Sequence, residues 1–202
     1  MENQQELIVS TASRLFEQFG IRSVSVDDVC AELHISKKTF YNYFTQKEDL
    51  VDAVLLYQRS IQHEKFAKLF KNKNAIDSLI ISIKEIKKSI GSEPVAMCYD
   101  LEKYYPKVHE KYEQISRQEM RDGFEKFLLQ GIEEGYFRKD VDVELIAFFH
   151  ALQVKKTFDL MSHDPKKYSK KRLLEFFIDL MIHLIANEKG LKYVEENYNK
   201  TE

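Results

Sequence analysis

The sequence predicts an all-α protein, and three observations predict it. Apolar residues recur at three- and four-residue spacing through most of the 202-residue chain. Glycine and proline, which interrupt helices, number only six and three. Several apolar stripes open on a capping residue and close on Gly, Asn or Pro.

The first stripe holds Leu7, Ile8, Ala12, Leu15, Phe16 and Phe19. Asn3 and Glu6 form a capping box ahead of it, and Gly20 ends it. Ser25 and Asp28 form another capping box, so a helix starts at Val26 with Val29, Cys30 and Leu33 on its apolar face. His34 and Ile35 break the pattern. Ser36 then caps a short helix from Lys37 to about Phe44, with Phe40 and Phe44 inward, one turn apart. The other face of that helix carries Lys37, Lys38, Thr39, Tyr41, Asn42 and Tyr43. Thr45 caps the next helix, with Glu48 completing its box. Two short helices crossing at a tight turn make a helix-turn-helix. Polar and basic residues stand on the second helix where a buried helix would carry leucines, which suits the major groove of DNA.

Further along, a long helix runs to about Leu69, with a break at residues 72–74. The next helix carries Ile76, Leu79, Ile80, Ile83, Ile86 and Ile90 and stops at Gly91. A short helix over 94–105 is closed by Pro106, and a long one reaches about Glu134 before Gly135 turns the chain. Gly131 and Gly135 have GxxxG spacing, but Glu133 and Glu134 between them mark a helix end rather than a membrane dimer motif. Helices over about 143–161 and 169–187 follow. The second of these is apolar nearly all round and needs cover on more than one side. In a chain this size the natural second cover is a copy of itself, forming a two-fold four-helix bundle. The expected interface residues are Phe148, Leu152, Leu173, Phe176, Phe177, Leu180, Met181 and Leu184. The alternative is a central core helix of a monomer.

The net charge is −2 overall and −3 over residues 1–50, whereas residues 33–47 hold three lysines and no acid. Phosphate senses charge within about 10 Å at ordinary salt, so a narrow basic face on an acidic body is expected. The run over residues 166–172 (KKYSKKR) reads as a solvated helix start. Cys30 and Cys98 are far apart in apolar helical patterns, which favours reduced thiols and a cytoplasmic chain. The N-terminus is polar with no signal-peptide pattern, and no apolar run approaches the roughly 20 residues of a membrane span. His34, His63, His109, His150, His163 and His183 show no metal-ligand spacing, and there is no phosphate loop or nucleophile motif. No enzyme, metal or cofactor is expected. Each lone histidine reads as a surface or hydrogen-bonded helix residue, with His150 beside Phe148 and Phe149 the one that could face a cavity.

From Ile8 to about Leu55 the chain resembles the N-terminal domain of TetR-type bacterial transcription regulators. The matching residues are Ala12, Leu15, Phe16 and Gly20, then residues 25–29 (SVDDV), 35–44 (ISKKTFYNYF) and 47–50 (KEDL). Two residues depart from the pattern. His34 stands where the family has Gly, and His is among the few residues that tolerate a positive φ. Lys38 replaces a small residue.

The resemblance implies a helix-turn-helix domain over residues 1–48 and a larger helical ligand-binding and dimerisation domain over 49–202. It implies a bacterial, cytoplasmic repressor, associated with the nucleoid when bound to DNA. Such a homodimer binds a double-stranded operator and is released by a small-molecule effector. Lys37, Lys38, Thr39 and Asn42 are the candidates for base edges, with Ser25, Ser36, Tyr41, Tyr43 and Lys47 for the backbone. An effector pocket is implied as well, with Tyr57, Phe66, Met97, Cys98, Tyr99, Phe124, Phe127, Phe148, His150 and Phe158 as candidate linings. The rival readings are a family member without small-molecule control, and a helical enzyme or binding module that does not bind DNA.

Overall fold

The structure, a computed structural model, describes residues 3–89, 94–163 and 169–198, and the side chains of 155–163 and 170 lie outside that description. The described residues form α1 (Gln4–Phe19), α2 (Val26–Glu32), α3 (Lys37–Tyr41), α4 (Lys47–Phe70), α5 (Ala75–Ser89), α6 (Val95–Tyr104), α7 (Pro106–Glu133), α8 (Val143–His163), α9 (Lys170–Ile185) and α10 (Glu188–Asn197). They hold no strand, only an isolated antiparallel bridge between Phe137 and Ala186. No described helix is long and apolar enough to cross a membrane. The expected stop at Gly91 and the basic residues Lys166 and Lys167 fall outside the described residues.

The chain divides into two compact units, residues 1–67 with 93–114 and residues 68–92 with 115–202. The first unit therefore reaches well past residue 48, because α6 and the start of α7 complete its core. Ile8, Ala12, Phe16, Ile21, Phe40, Leu50, Val51 and Val54 pack there with Met97, Val108 and Tyr112. Its helices begin as their caps dictate. Asn3 with Glu6 and Ser25 with Asp28 close reciprocal boxes, and Ser36 accepts from the Thr39 amide. One cap differs from expectation. The carboxylate that closes the start of α4 is Asp49, not Glu48: the Thr45 and Gln46 amides both donate to its Oδ2 at 3.1 Å. That begins α4 at Lys47, two residues after Thr45.

In the second unit Ala75, Ile76 and Ile80 of α5 pack with Leu128 of α7, Phe137, and Met181 and Ile185 of α9. Met181 is thus core rather than the interface residue expected of it. It lies one turn before Ile185, on the inward side of α9. The turn at Gly135 (φ 74°) brings the Phe137 ring back against Gly131. A Cβ on Gly131 would stand 2.0 Å from that ring, so the second glycine of the pair turns the chain and the first receives the ring. The helix α10 was not foreseen. Asn187 caps it, accepting from the Gly190 amide, while its Nδ2 donates to the Gly135 and Phe137 carbonyls at 3.1 and 3.2 Å.

Gly131→Ala should cost about 1–3 kcal/mol, because Phe137 is itself buried and has nowhere to retreat. The denaturant midpoint should fall at an unchanged slope. An unshifted midpoint would show that the ring yields freely.

Candidate nucleic-acid interface

The helix-turn-helix is built on reciprocal polar closures outside and aromatic packing inside. The Ser25 amide donates to Asp28 Oδ2 at 2.7 Å, and the Asp28 amide returns to Ser25 Oγ at 3.1 Å. Ser25 Oγ also donates to Asp28 Oδ2 at 2.7 Å, and this bond, with the one from the Ser25 amide, holds the Asp28 carboxyl below the usual carboxylate range. After α2 the chain turns through His34 at φ 53°, the left-handed conformation expected there, and the Ile35 amide bonds the Cys30 carbonyl. Ser36 then starts α3. Phe40 is 0 % exposed, with the Phe44 ring 5.6 Å away. Fixing Phe40 inward turns the opposite face out: Lys37, Lys38, Tyr41, Asn42 and Tyr43 are all exposed, as are Ser25 and Ser36.

Three details refine the expected contacts. Thr39 is half-buried, and its hydroxyl lies 2.9 Å from Ser36 Oγ, so it offers mainly its methyl. Lys37 pairs with Asp27 at 2.8 Å, both ends well exposed, and this pair raises the Lys37 pKa. Such exposed pairs contribute about 0–1 kcal/mol, and a phosphate competes readily. The larger change concerns Lys47. Its ammonium turns inward, donates to the Ile21 carbonyl and lies 5.8 Å from the Phe16 ring centre. Burial lowers its pKa, with Asp100 and Asp28 opposing the shift. The phosphate contact expected of Lys47 is not the contact its side chain makes.

The expected pocket residues do not gather into one lining. Met97 fills the core of the first unit, Tyr57 packs against that core, and Cys98 and Tyr99 are exposed. Phe66 is half-buried, and the Phe158 side chain lies outside the described residues. In the second unit Phe124, Phe127 and His150 do come together. The His150 ring stacks on Phe124 at 3.8 Å and 11°, with Phe177 at 5.7 Å on α9 and Phe127 5.4 Å from Phe124. His150 Nδ1 is buried without a hydrogen-bond partner, and burial pushes the imidazole pKa down to about 4.

Phe148 does not join this cluster. It is 49 % exposed and forms a helical stripe on α8 with Leu145, Phe149 and Leu152. Phe176 and Leu180 are exposed on α9, while Leu173, Phe177 and Leu184 are half-buried. Leu145 and Phe149 were not anticipated, although their spacing from Phe148 and Leu152 is one helical face.

The imidazole titrates near 6.5 in the unfolded chain and about 4 in the fold, so the unfolded state takes the proton first. Stability is full above pH 6.5 and falls as the pH drops toward 4. The total loss is about 3.5 kcal/mol at roughly 1.4 kcal/mol per unit. His150→Phe keeps a flat ring and should abolish that part of the slope in pH-dependent denaturant melts. Parallel wild-type and variant profiles between pH 6.5 and 4 would contradict the assignment.

Residues 8–54 match the family described as bacterial regulatory proteins, tetR family. The HTH-type transcriptional regulator YuxN of Bacillus subtilis is 44% identical over 57 residues, which are 28% of this chain and 20% of YuxN. The chain thus aligns with about a fifth of that relative's length. The HTH-type transcriptional repressor KstR2 of Mycobacterium tuberculosis is 26% identical over 152 residues, 70% of this chain and 73% of KstR2. A transcriptional regulator of Saccharomonospora viridis, solved in complex with choline, superposes with a TM-score of 0.70 at 17% identity, covering 93% of this chain and all of the other. The outward face of α3 thus lies within the segment that matches the tetR-family helix-turn-helix, and the helical fold around it is one shared with the Saccharomonospora viridis regulator.

Proposed function

We propose that the chain is a repressor that binds a pseudo-palindromic operator as a homodimer and is released by a small molecule held in its second unit. The carrying observation is the face of α3. Lys37, Lys38, Tyr41 and Asn42 stand in solvent because Phe40 is locked into the core behind them. A short basic helix presented in this way enters a major groove, and two of them from a two-fold dimer read half-sites about 34 Å or one turn apart. Asn42 pairs with adenine N6 and N7, and Lys37 and Lys38 favour guanine O6 and N7. Tyr41, Tyr43, Ser25 and Ser36 hold the phosphate backbone. Lys47 joins them only if its ammonium leaves the Ile21 carbonyl.

The exposed stripe of Leu145, Phe148, Phe149 and Leu152 on α8, with Phe176 and Leu180 exposed on α9, supports the dimer. These are six large exposed apolar side chains on two helices that pack together, and exposed apolar surface of this kind is commonly covered. A copy of the same stripe is a self-complementary cover. Small-molecule control is supported by His150. A buried polar atom without a partner is uncommon, and an effector that hydrogen-bonds Nδ1 between Phe124 and Phe177 would satisfy it. A coupling of about 1–3 kcal/mol is enough for release, and DNA then weakens effector binding by the same factor. The KstR2 relatives are named as repressors, which supports that sign of regulation. The Saccharomonospora viridis regulator, of like fold, was solved with the small molecule choline.

Selection of bound duplexes from a random DNA pool tests the reading, and a palindromic consensus is expected. Asn42→Ala should relax base preference at one position in each half-site, with discrimination there reduced by about 1–3 kcal/mol. An unaltered consensus would remove Asn42 from the base contacts. Sedimentation of the 24.0 kDa chain should give twice that mass, and Leu152→Lys with Leu180→Lys should return it to one. A wild type that sediments as a single chain at micromolar concentration would end the dimer reading.

A further inference from the structure

One buried charge in the first unit has no part in the DNA contacts. Asp100, on α6, is 9 % exposed, and its Oδ2 accepts the Arg22 amide at 2.7 Å. The same oxygen lies 2.8 Å from where a Cβ on Gly20 would stand, so α6 meets the backbone of the turn after α1 directly. Gly20 has φ 83°, a conformation that glycine alone adopts easily. Ala96 Cβ lies 3.3 Å from the same Cβ position on Gly20, and the Tyr104 ring lies under the Arg22 guanidinium at 4.6 Å with its hydroxyl accepting from it. Ala96, Asp100 and Tyr104 are spaced by four residues and form one face of α6.

A carboxylate removed from water needs an opposite charge and satisfied lone pairs. Lys47 is a cation that Asp100 attracts, and its half-buried ammonium donates to the Ile21 carbonyl of the same turn. Residues 20–22 are therefore held by a carboxylate from α6 on one amide and by an ammonium from α4 on one carbonyl. Three residues later the chain reaches Ser25, the N-cap of α2.

We propose that Asp100 is a positioning residue for DNA binding: with Lys47 it clasps the turn at residues 20–22, so that α6 sets the placement of α2 and, through it, of the reading helix α3. This rests on the DNA-binding reading and adds to it the residue that fixes the geometry of the reading head. It also gives Lys47 a different task from a phosphate contact.

Asp100→Asn retains size and an acceptor for the Arg22 amide while removing the charge. Its affinity for a palindromic duplex selected by the wild type should fall about tenfold. The consensus it selects should stay unchanged, and affinity is compared well below its denaturation midpoint, where the variant is fully folded, so that loss of folded protein cannot account for the fall. Lys47→Met keeps the aliphatic stem and should weaken binding without altering the salt dependence. A salt slope lower by about one would put the ammonium on a phosphate and overturn the clasp. The double variant should bind within about threefold of Asp100→Asn alone, whereas fully additive losses would break the pairing of the two residues. Hydrogen exchange without DNA separates this inference from the functional reading. The Arg22 amide should exchange at least tenfold faster in Asp100→Asn, with the change spreading to residues 25–28. Unchanged exchange, or wild-type affinity in Asp100→Asn, overturns the proposal. A wild type that selects no duplex counts against DNA binding and leaves the exchange result to decide the clasp.

Discussion

The burial of Phe40 is the constraint on which the reading surface depends. The helix α3 has five residues, far short of the roughly 12–15 at which an isolated helix begins to hold in water. Tertiary packing must therefore hold it. Phe40 enters a core that also holds Phe16, Ile21, Phe44 and Leu50, and burying such a ring contributes about 1.5–3 kcal/mol. The Ser36 cap satisfies the Thr39 amide at the start of the same helix. With Phe40 inward, helical geometry puts Lys38 and Asn42 on the opposite face, Lys37 and Tyr41 flank it, and all four are exposed. Core and solvent thus divide one short helix between them.

The core that receives Phe40 is larger than a three-helix motif. Met97 from α6 and Val108 and Tyr112 from α7 belong to it, and the Tyr112 hydroxyl donates to the Asp52 carbonyl at 2.9 Å. A domain of about fifty residues buries too small a share of its surface to be more than marginal. Recruiting two further segments enlarges that share and places α6 against the turn at Gly20. The electrostatics follow the same division. The acids Asp27, Asp28 and Glu32 lie on α2, whereas residues 33–47 carry lysines and no acid. Asp27 and Glu32 are partly neutralised by Lys37 and Arg14.

The second unit solves a different problem. The helix α9 is apolar on more than one side, with Leu174, Met181 and Ile185 turned into the core and Phe176 and Leu180 left in solvent. On α8 the small residues Ala147 and Ala151 face inward while Leu145, Phe148, Phe149 and Leu152 face out. Small residues inside and large apolar ones outside invert the usual order, and the inversion supports the dimer reading. His150 lies between these faces, its ring serving as a flat apolar filler between two phenylalanines at the expense of an unsatisfied nitrogen.

Local signals in the sequence were enough to locate α1 to α9, most of their caps, the positive φ at His34 and the outward set on α3. Periodicity and capping act within a few residues of themselves, so a linear reading captures them. The misses were non-local. Asp49 replaced Glu48 because the start of α4 shifted by one residue, from Gln46 to Lys47. Met181 turned inward because a helix that is apolar all round does not reveal its core side. Met97 left the expected pocket for the core of the first unit, and the bond from the Lys47 ammonium to the Ile21 carbonyl was not expected. The helix α10 is short and polar, and it exists because Asn187 finds the Gly135 and Phe137 carbonyls some fifty residues away. By itself, then, the sequence determined the helices and the face of α3 that meets solvent, since spacing along one helix settles both. Only the tertiary structure decided which charge answers which, Asp100 to the Arg22 amide and Lys47 to the Ile21 carbonyl, because those partners are 78 and 26 residues apart and only folding brings them within reach.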